Sequence, residues 1–296
     1  MRWPQDAAGW PNAAASRLVE CRPHRWHVQE MGEGPLVLLL HGAGGATQSW
    51  RDVLPILARA RRVVAVDLPG QGFTRMGTRQ RCGLDHMAED LLALCAAEDW
   101  RPGAIVGHSA GGALALRMAE AMDPAPPIVG INAALAEFDG VAGWLFPMMA
   151  RLLSAAPFAA DIFAATSSSP AAVRRLIDST GSRIGPEGLA LYRRLVADRG
   201  HVDATLAMMA QWSLTGLQRR LPEHPSRTLL LAGTEDGAVP PRVSERAGAR
   251  MPRAEVETRP LGHLMHEEAP EEICALIEAF LGRGEMAPEQ VRAAAR

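Results

Sequence analysis

Ala104–Met118, AIVGHSAGGALALRM, is the stretch on which the fold turns. Its opening, with β-branched Ile105 and Val106, reads as a short buried strand, and Ala113, Leu114, Leu116 and Met118 read as the apolar side of a helix. Between them Gly107-His108-Ser109-Ala110-Gly111 fits G-x-S-x-G, a sharp strand-to-helix corner that leaves a serine hydroxyl exposed. Such a corner crowds the backbone, and glycines flank the serine because a Cβ there would collide with a neighbouring strand or helix. The alternative reading is a small-residue packing corner in an α/β sheet, so the rest of the chain has to decide between them.

The chain has 296 residues, a formal net charge of −2 and 22% charged residues, an ordinary globular composition long enough for one large core plus an insertion. Basic residues come only in short pairs such as Arg61-Arg62, Arg174-Arg175 and Arg219-Arg220, so nucleic acid is not expected as a partner. Cys21, Cys82, Cys95 and Cys274 are scattered, without a C-x-x-C pair or a histidine at ligand spacing; neither a metal site nor a disulfide is expected. The opening MRWPQDAAGWPN lacks the apolar core of a secretion signal, and the expected location is the cytoplasm.

Residues 1–35 are rich in proline and polar residues, with one alternating strand at Arg25–Glu30. Leu36–Leu40, LVLLL, is an unbroken apolar run of strand length, as expected of a parallel strand covered on both faces. It runs into His41-Gly42-Ala43-Gly44-Gly45; no lysine follows, which disfavours a phosphate loop. A loop after an early strand can instead supply one of two backbone N–H groups that stabilise a developing oxyanion, the other coming from the residue after the nucleophile. Ala43 and Ala110 are the candidates. Thr47–Ala60 is expected to be a helix containing Trp50, Arg62–Val66 a strand and Leu84–Trp100 an amphipathic helix whose His86 reads as a surface or packing histidine rather than a ligand. Asp67, in the turn cluster Asp67–Gly72, is either a catalytic acid or a carboxylate pinning its loop.

After a strand at Ile128–Ile131 the alternation of strand and helix stops. Residues 133–221 read as helices broken by Gly140, Pro147, Pro157, Pro170, Gly181 and Gly185-Pro186, an inserted cap that divides the core into 1–132 and 222–282 and leaves a tail at 283–296. The stretch Val141–Ala165 is very apolar, but Pro147, Arg151, Pro157 and Asp161 argue against a membrane span. Its residues either face the core or, with His41, line a pocket for a bulky apolar substrate; Trp144, Phe146, Met148 and Met149 are the pocket candidates.

The sheet resumes at Thr228–Ala232 and runs into Gly233-Thr234-Glu235-Asp236; a last strand, Ala254–Thr258, leads to Gly262-His263. Serine, acid and histidine thus follow successive strand ends in the order of a catalytic triad on such a sheet. A serine hydroxyl is a poor nucleophile near neutral pH; a histidine must take its proton, and a carboxylate must fix that histidine's tautomer and stabilise its charged form. Ser109, His263 and Asp236 fill these roles, with Glu235 the rival acid and His266 the rival base.

HGAGG at 41–45, DLPGQG at 67–72, GHSAGG at 107–112, GTEDGAVP at 233–240 and GHLMHEEAPE at 262–271 together resemble the α/β-hydrolase superfamily. The resemblance implies a mostly parallel, doubly wound sheet with a helical cap inserted after the sixth strand. It also implies Asp236 and His263 over their rivals, Ala43 and Ala110 as oxyanion donors, and a bulky aromatic, Trp50, packed under the site. The N-terminal 35 residues together with DLPGQGFTR are similar, more narrowly, to the magnesium-chelatase accessory hydrolases of bacteriochlorophyll-making bacteria. That likeness implies a role near magnesium insertion, an apolar substrate such as a porphyrin or pigment ester, and contact with the chelatase. Two function classes follow: a serine hydrolase of a carboxylic ester or thioester, needing no cofactor, and a non-catalytic accessory protein that binds a pigment precursor or the chelatase.

Overall fold

The computed structural model describes residues 1–136 and 167–285. Eight strands form one sheet: β1 (Ser16–Cys21), β2 (His24–Met31), β3 (Leu36–Leu40), β4 (Arg62–Val66), β5 (Ala104–His108), β6 (Ile128–Ile131), β7 (Thr228–Gly233) and β8 (Ala254–Arg259). Their order is β1-β2-β4-β3-β5-β6-β7-β8. The strands from β3 onward are mutually parallel, while β2 pairs antiparallel with both β1 and β4. β1 falls within the stretch read from sequence as merely polar and proline-rich; half-buried at the sheet edge, it lacks the unbroken apolar run of a central strand.

The continuous apolar run of β3 follows from its position at the centre. Leu36, Leu38 and Leu40 point into the core on one face, against α2 (Leu84–Ala97) and α3 (Ala110–Ala119). Val37 and Leu39 point to the other, into the core formed with Trp50, with α1 (Val53–Leu57) and with the C-terminal helix Pro270–Glu285. Each such side chain contributes about 1.5–3 kcal/mol by leaving water. The expected single helix over Thr47–Ala60 is instead a 3-10 turn, Thr47–Trp50, followed by the short α1. Pro55 has no N–H to return to Arg51, and the Arg51 carbonyl is taken by the Asn12 side chain at 3.0 Å.

Between β6 and β7 the described residues form α4 (Pro170–Asp178), α5 (Pro186–Ala197), α6 (Arg199–Gln211) and α7 (Thr215–Arg220). α5 and α6 dock on the carboxyl ends of the strands through buried polar contacts: Tyr192 donates to Glu267 at 2.6 Å, and Glu267 also pairs with Arg51. After β7 come α8 (Arg242–Gly248), α9 (Met265–Glu268) and α10 (Pro270–Glu285). No described helix is long and apolar enough to cross a membrane, and no group of three potential ligands among the described residues could hold a metal ion.

Close approach of backbones sets the corner after β5. A Cβ on Gly107 would strike the carbonyl of Gly111, and one on Gly111 would strike the carbonyl of Leu40 at the end of β3. Gly111→Ala is therefore expected to cost about 3 kcal/mol or more in urea unfolding, whereas Gly185→Ala, whose Cβ meets nothing within 4 Å, should be near neutral.

Burial of imidazoles adds a pH dependence. His266 lies fully buried between Trp50 and His108, ring centroids 4.7 and 4.5 Å away, and burial pushes its pKa down to about 3. Burial likewise pushes His201 down to about 4. Both rings are neutral in the folded protein but take up protons near 6.5 when unfolded, so their contribution to stability is complete above pH 6.5. It is lost as pH falls from there toward 4 and 3. Urea midpoints should accordingly fall through this window, and less steeply in His266→Leu than in the parent; equal slopes would contradict the assignment.

Candidate active site

Ser109 stands at the corner between β5 and α3 with φ 52° and ψ −117°, a backbone conformation that non-glycine residues seldom hold. The surroundings over-determine it. Its N–H donates to the Ile131 carbonyl at 2.9 Å, and its own carbonyl accepts from Gly112 and Ala134, each at 3.0 Å. The side chain is thereby presented at the carboxyl rim of the sheet, partly exposed, above the first turn of α3. The positive end of that helix faces the same point.

Asp236 and His263 come from the loops after β7 and β8. His263 Nδ1 and Asp236 Oδ2 are 2.7 Å apart, so the ring's Nδ1–H is donated to the carboxylate and Nε2 is left as the free basic nitrogen. The other carboxylate oxygen of Asp236 accepts from the backbone N–H of Ala238 at 2.7 Å and of Val239 at 2.8 Å. The Asp236 side chain is fully buried and that of His263 is 12% exposed, an acid shielded from water holding a base that reaches it. Glu235 is exposed, and His266 is buried with no hydrogen-bond partner on either ring nitrogen.

Two residues given no role by the sequence patterns fix the histidine loop: His108, the variable position before the serine, and Asn132. The His263 carbonyl accepts from His108 Nε2 and from Asn132 Nδ2, both at 2.9 Å. Asn132, in left-handed conformation at the end of β6, also donates to Gly262 O at 2.9 Å and accepts from Gly233 N–H at 2.7 Å. One amide thus ties the end of β7 to the histidine loop. The rings of His108 and His263 lie 4.6 Å apart, so the residue preceding the serine packs against the base. Burial, reinforced by the neighbouring His266 and His263, holds His108 well below the usual imidazole range, and it stays neutral beside the base. Among the described residues no hydrogen bond joins the Ser109 hydroxyl to the His263 ring; such contacts commonly tighten only with substrate in place.

The loop after β3 lies against the serine: a Cβ on Gly42 would come within 2.9 Å of Ser109 Cβ. His41 Nδ1 donates to Gly42 O at 2.7 Å, and Gly45 N–H donates to the same oxygen at 3.1 Å. Because the carbonyl of Gly42 and the N–H of Ala43 share one planar peptide unit and point oppositely, holding the first aims the second. Leu68 N–H donates to His41 Nε2 at 2.9 Å, which fixes the tautomer. His41 is fully buried with both nitrogens engaged by backbone; it supports the loop from beneath and does not line a pocket. Asp67 accepts from Thr47 N–H at 2.6 Å and Phe73 N–H at 2.8 Å and pairs with His27 at 2.7 Å, so it pins its loop. Ala43 follows Gly42, where a Cβ would meet Ser109 Cβ, and Ala110, first residue of α3, has no intrahelical acceptor for its N–H. Trp50 is fully buried beneath the site, and Trp144, Phe146, Met148 and Met149 lie outside the described residues.

Comparison with known proteins identifies the fold family. Residues 35–270 match the alpha/beta hydrolase fold family. The magnesium-chelatase 30 kDa subunit of Rhodobacter capsulatus is 44% identical over 277 residues, 93% of this chain and 97% of that one. The 2-hydroxymuconate semialdehyde hydrolase of Pseudomonas sp. (strain CF600) is 26% identical over 276 residues, 89% of this chain and 92% of its own length. Among solved structures, the meta-cleavage product hydrolase CumD of Pseudomonas fluorescens superposes with a TM-score of 0.73 at 23% identity, covering 90% of this chain and 98% of that one. The chain belongs to the alpha/beta hydrolase fold family, and its likeness to the magnesium-chelatase 30 kDa subunit extends over nearly the whole of both chains.

Proposed function

We propose that this protein is a serine hydrolase of a carboxylic ester or thioester with an apolar substrate, working beside the magnesium-chelatase step of bacteriochlorophyll synthesis. The observation that carries the reading is the 2.7 Å bond from His263 Nδ1–H to a buried Asp236 carboxylate, at the rim where Ser109 is presented. In this reading Ser109 Oγ attacks the substrate carbonyl as His263 Nε2 takes its proton, and the Ala43 and Ala110 N–H groups stabilise the oxyanion. His263 then gives that proton to the leaving oxygen or sulfur. Water, deprotonated by the same nitrogen, attacks the acyl-serine and releases the acid. Asp236 remains ionised throughout, holding the tautomer and balancing the imidazolium. The chemistry requires no metal or organic cofactor.

The substrate class rests on the apolar character of the inserted segment in sequence, and the setting on the 44% identity with the magnesium-chelatase 30 kDa subunit. That name also favours a second reading, a subunit that binds a porphyrin or contacts the chelatase without turning substrate over. Reaction with a fluorophosphonate probe separates the two: the unmutated protein should be labelled and Ser109→Ala should not, whereas absence of labelling in both supports the accessory role. Asp236→Asn should retain the fold and lower kcat for an aryl ester by about 10³–10⁴-fold. Quenching of intrinsic tryptophan fluorescence by protoporphyrin at micromolar concentration tests the substrate class, and an unchanged signal would contradict it.

A further inference from the structure

His201, on α6 of the inserted helices, belongs to none of the motifs, yet it is fully committed to the site's loops. Gly72 N–H donates to its Nδ1 at 3.1 Å, which places the ring proton on Nε2; that Nε2–H donates to the carbonyl of Gly44 at 3.1 Å. The ring is buried, 3% exposed, and its helix is anchored by Asp198, which accepts from His201 N–H at 2.8 Å. Gly44 itself is fixed from the other side, its N–H donating to Gln71 Oε1 at 2.8 Å.

The direction of these bonds matters. The carbonyl of Gly44 and the N–H of Gly45 are two ends of one peptide unit, and that N–H donates to Gly42 O at 3.1 Å. The carbonyl of Gly42 and the N–H of Ala43 are the ends of the next. We propose that His201 is a positioning residue for the oxyanion site, acting through this relay of two peptide units. It aims and polarises the Ala43 N–H, and so couples the seating of the inserted helix α6 to the stabilisation of the oxyanion. Hydrogen bonds in series strengthen one another, and a donor pre-aimed at the oxyanion acts on the transition state more than on bound substrate. Loss of the Gly44 contact therefore shows in kcat and leaves KM nearly unchanged.

The kinetic consequence rests on the serine-hydrolase reading; the structural one does not. His201→Asn keeps an acceptor near Nδ1 for Gly72 but cannot reach Gly44, and His201→Gln keeps a donor at the reach of Nε2. With p-nitrophenyl butyrate, kcat should fall roughly tenfold in His201→Asn with KM within about twofold, and His201→Gln should recover most of it. The amide proton of Ala43 should move upfield in His201→Asn and return toward its original position in His201→Gln, read by transverse-relaxation-optimised NMR of the otherwise unchanged protein. Equal kcat in the parent and His201→Asn, or an Ala43 resonance that does not follow the Gly44 donor, overturns the proposal. If the parent turns over no ester, the hydrolase reading fails and the Ala43 resonance alone decides. If His201→Asn does not fold, His201→Gln set against His201→Leu supplies the same contrast of donor present and donor absent.

Discussion

The structure depends on one close approach. Where β5 turns into α3, backbone meets backbone with no room for a Cβ at Gly107 or Gly111, and the Leu40 carbonyl at the end of β3 lies against Gly111. That contact forces Ser109 into its unusual conformation and brings the loop after β3 to its side. The two adjacent central strands could not bring the serine and the loop after β3 together if the chain turned more widely. The cost of the strained serine, about 1–3 kcal/mol, is met by the apolar cores on both faces of the sheet.

Histidines do most of the remaining arrangement, and their environments sort them. Among the described residues three hydrogen-bond a carboxylate: His24 with Asp90, His27 with Asp67 and His263 with Asp236. The side chains of the first two are completely enclosed and hold loops; only the third reaches solvent. His41, His108 and His201 each use a ring N–H to hold a backbone carbonyl near the serine. Burial depresses all three, so they remain neutral donors. Neutral donors orient backbone without setting a positive charge beside the base.

What the sequence shows of this is what depends on local pattern. The apolar run of β3, the glycines of the corner and the acid and histidine after β7 and β8 each sit within a few residues of the feature they create. The fold was legible for that reason, and so was the position of Ser109, Asp236 and His263 just beyond the ends of their strands. Asn132 and His201 were not: Asn132 acts on residues 101 and 130–131 positions away, and His201 on Gly44, 157 positions away. No spacing rule marks a residue whose partner is so distant. His41 was misplaced for a related cause, since adjacency to the loop in sequence says nothing of whether its ring points up to a ligand or down beneath the peptide it supports. Pro55 shows the opposite case, a local rule that was present and outweighed by the apolar periodicity around it.

In the proposed mechanism the rim gathers a nucleophile, a base and an oxyanion site into one reacting unit. A crystal structure of the protein after exposure to diethyl p-nitrophenyl phosphate tests it most directly. The expected result is a covalent bond from Ser109 Oγ to phosphorus, the phosphoryl oxygen accepting from the N–H groups of Ala43 and Ala110, and His263 Nε2 facing an ester oxygen. An unmodified Ser109, or an adduct whose phosphoryl oxygen points away from both amides, would contradict it.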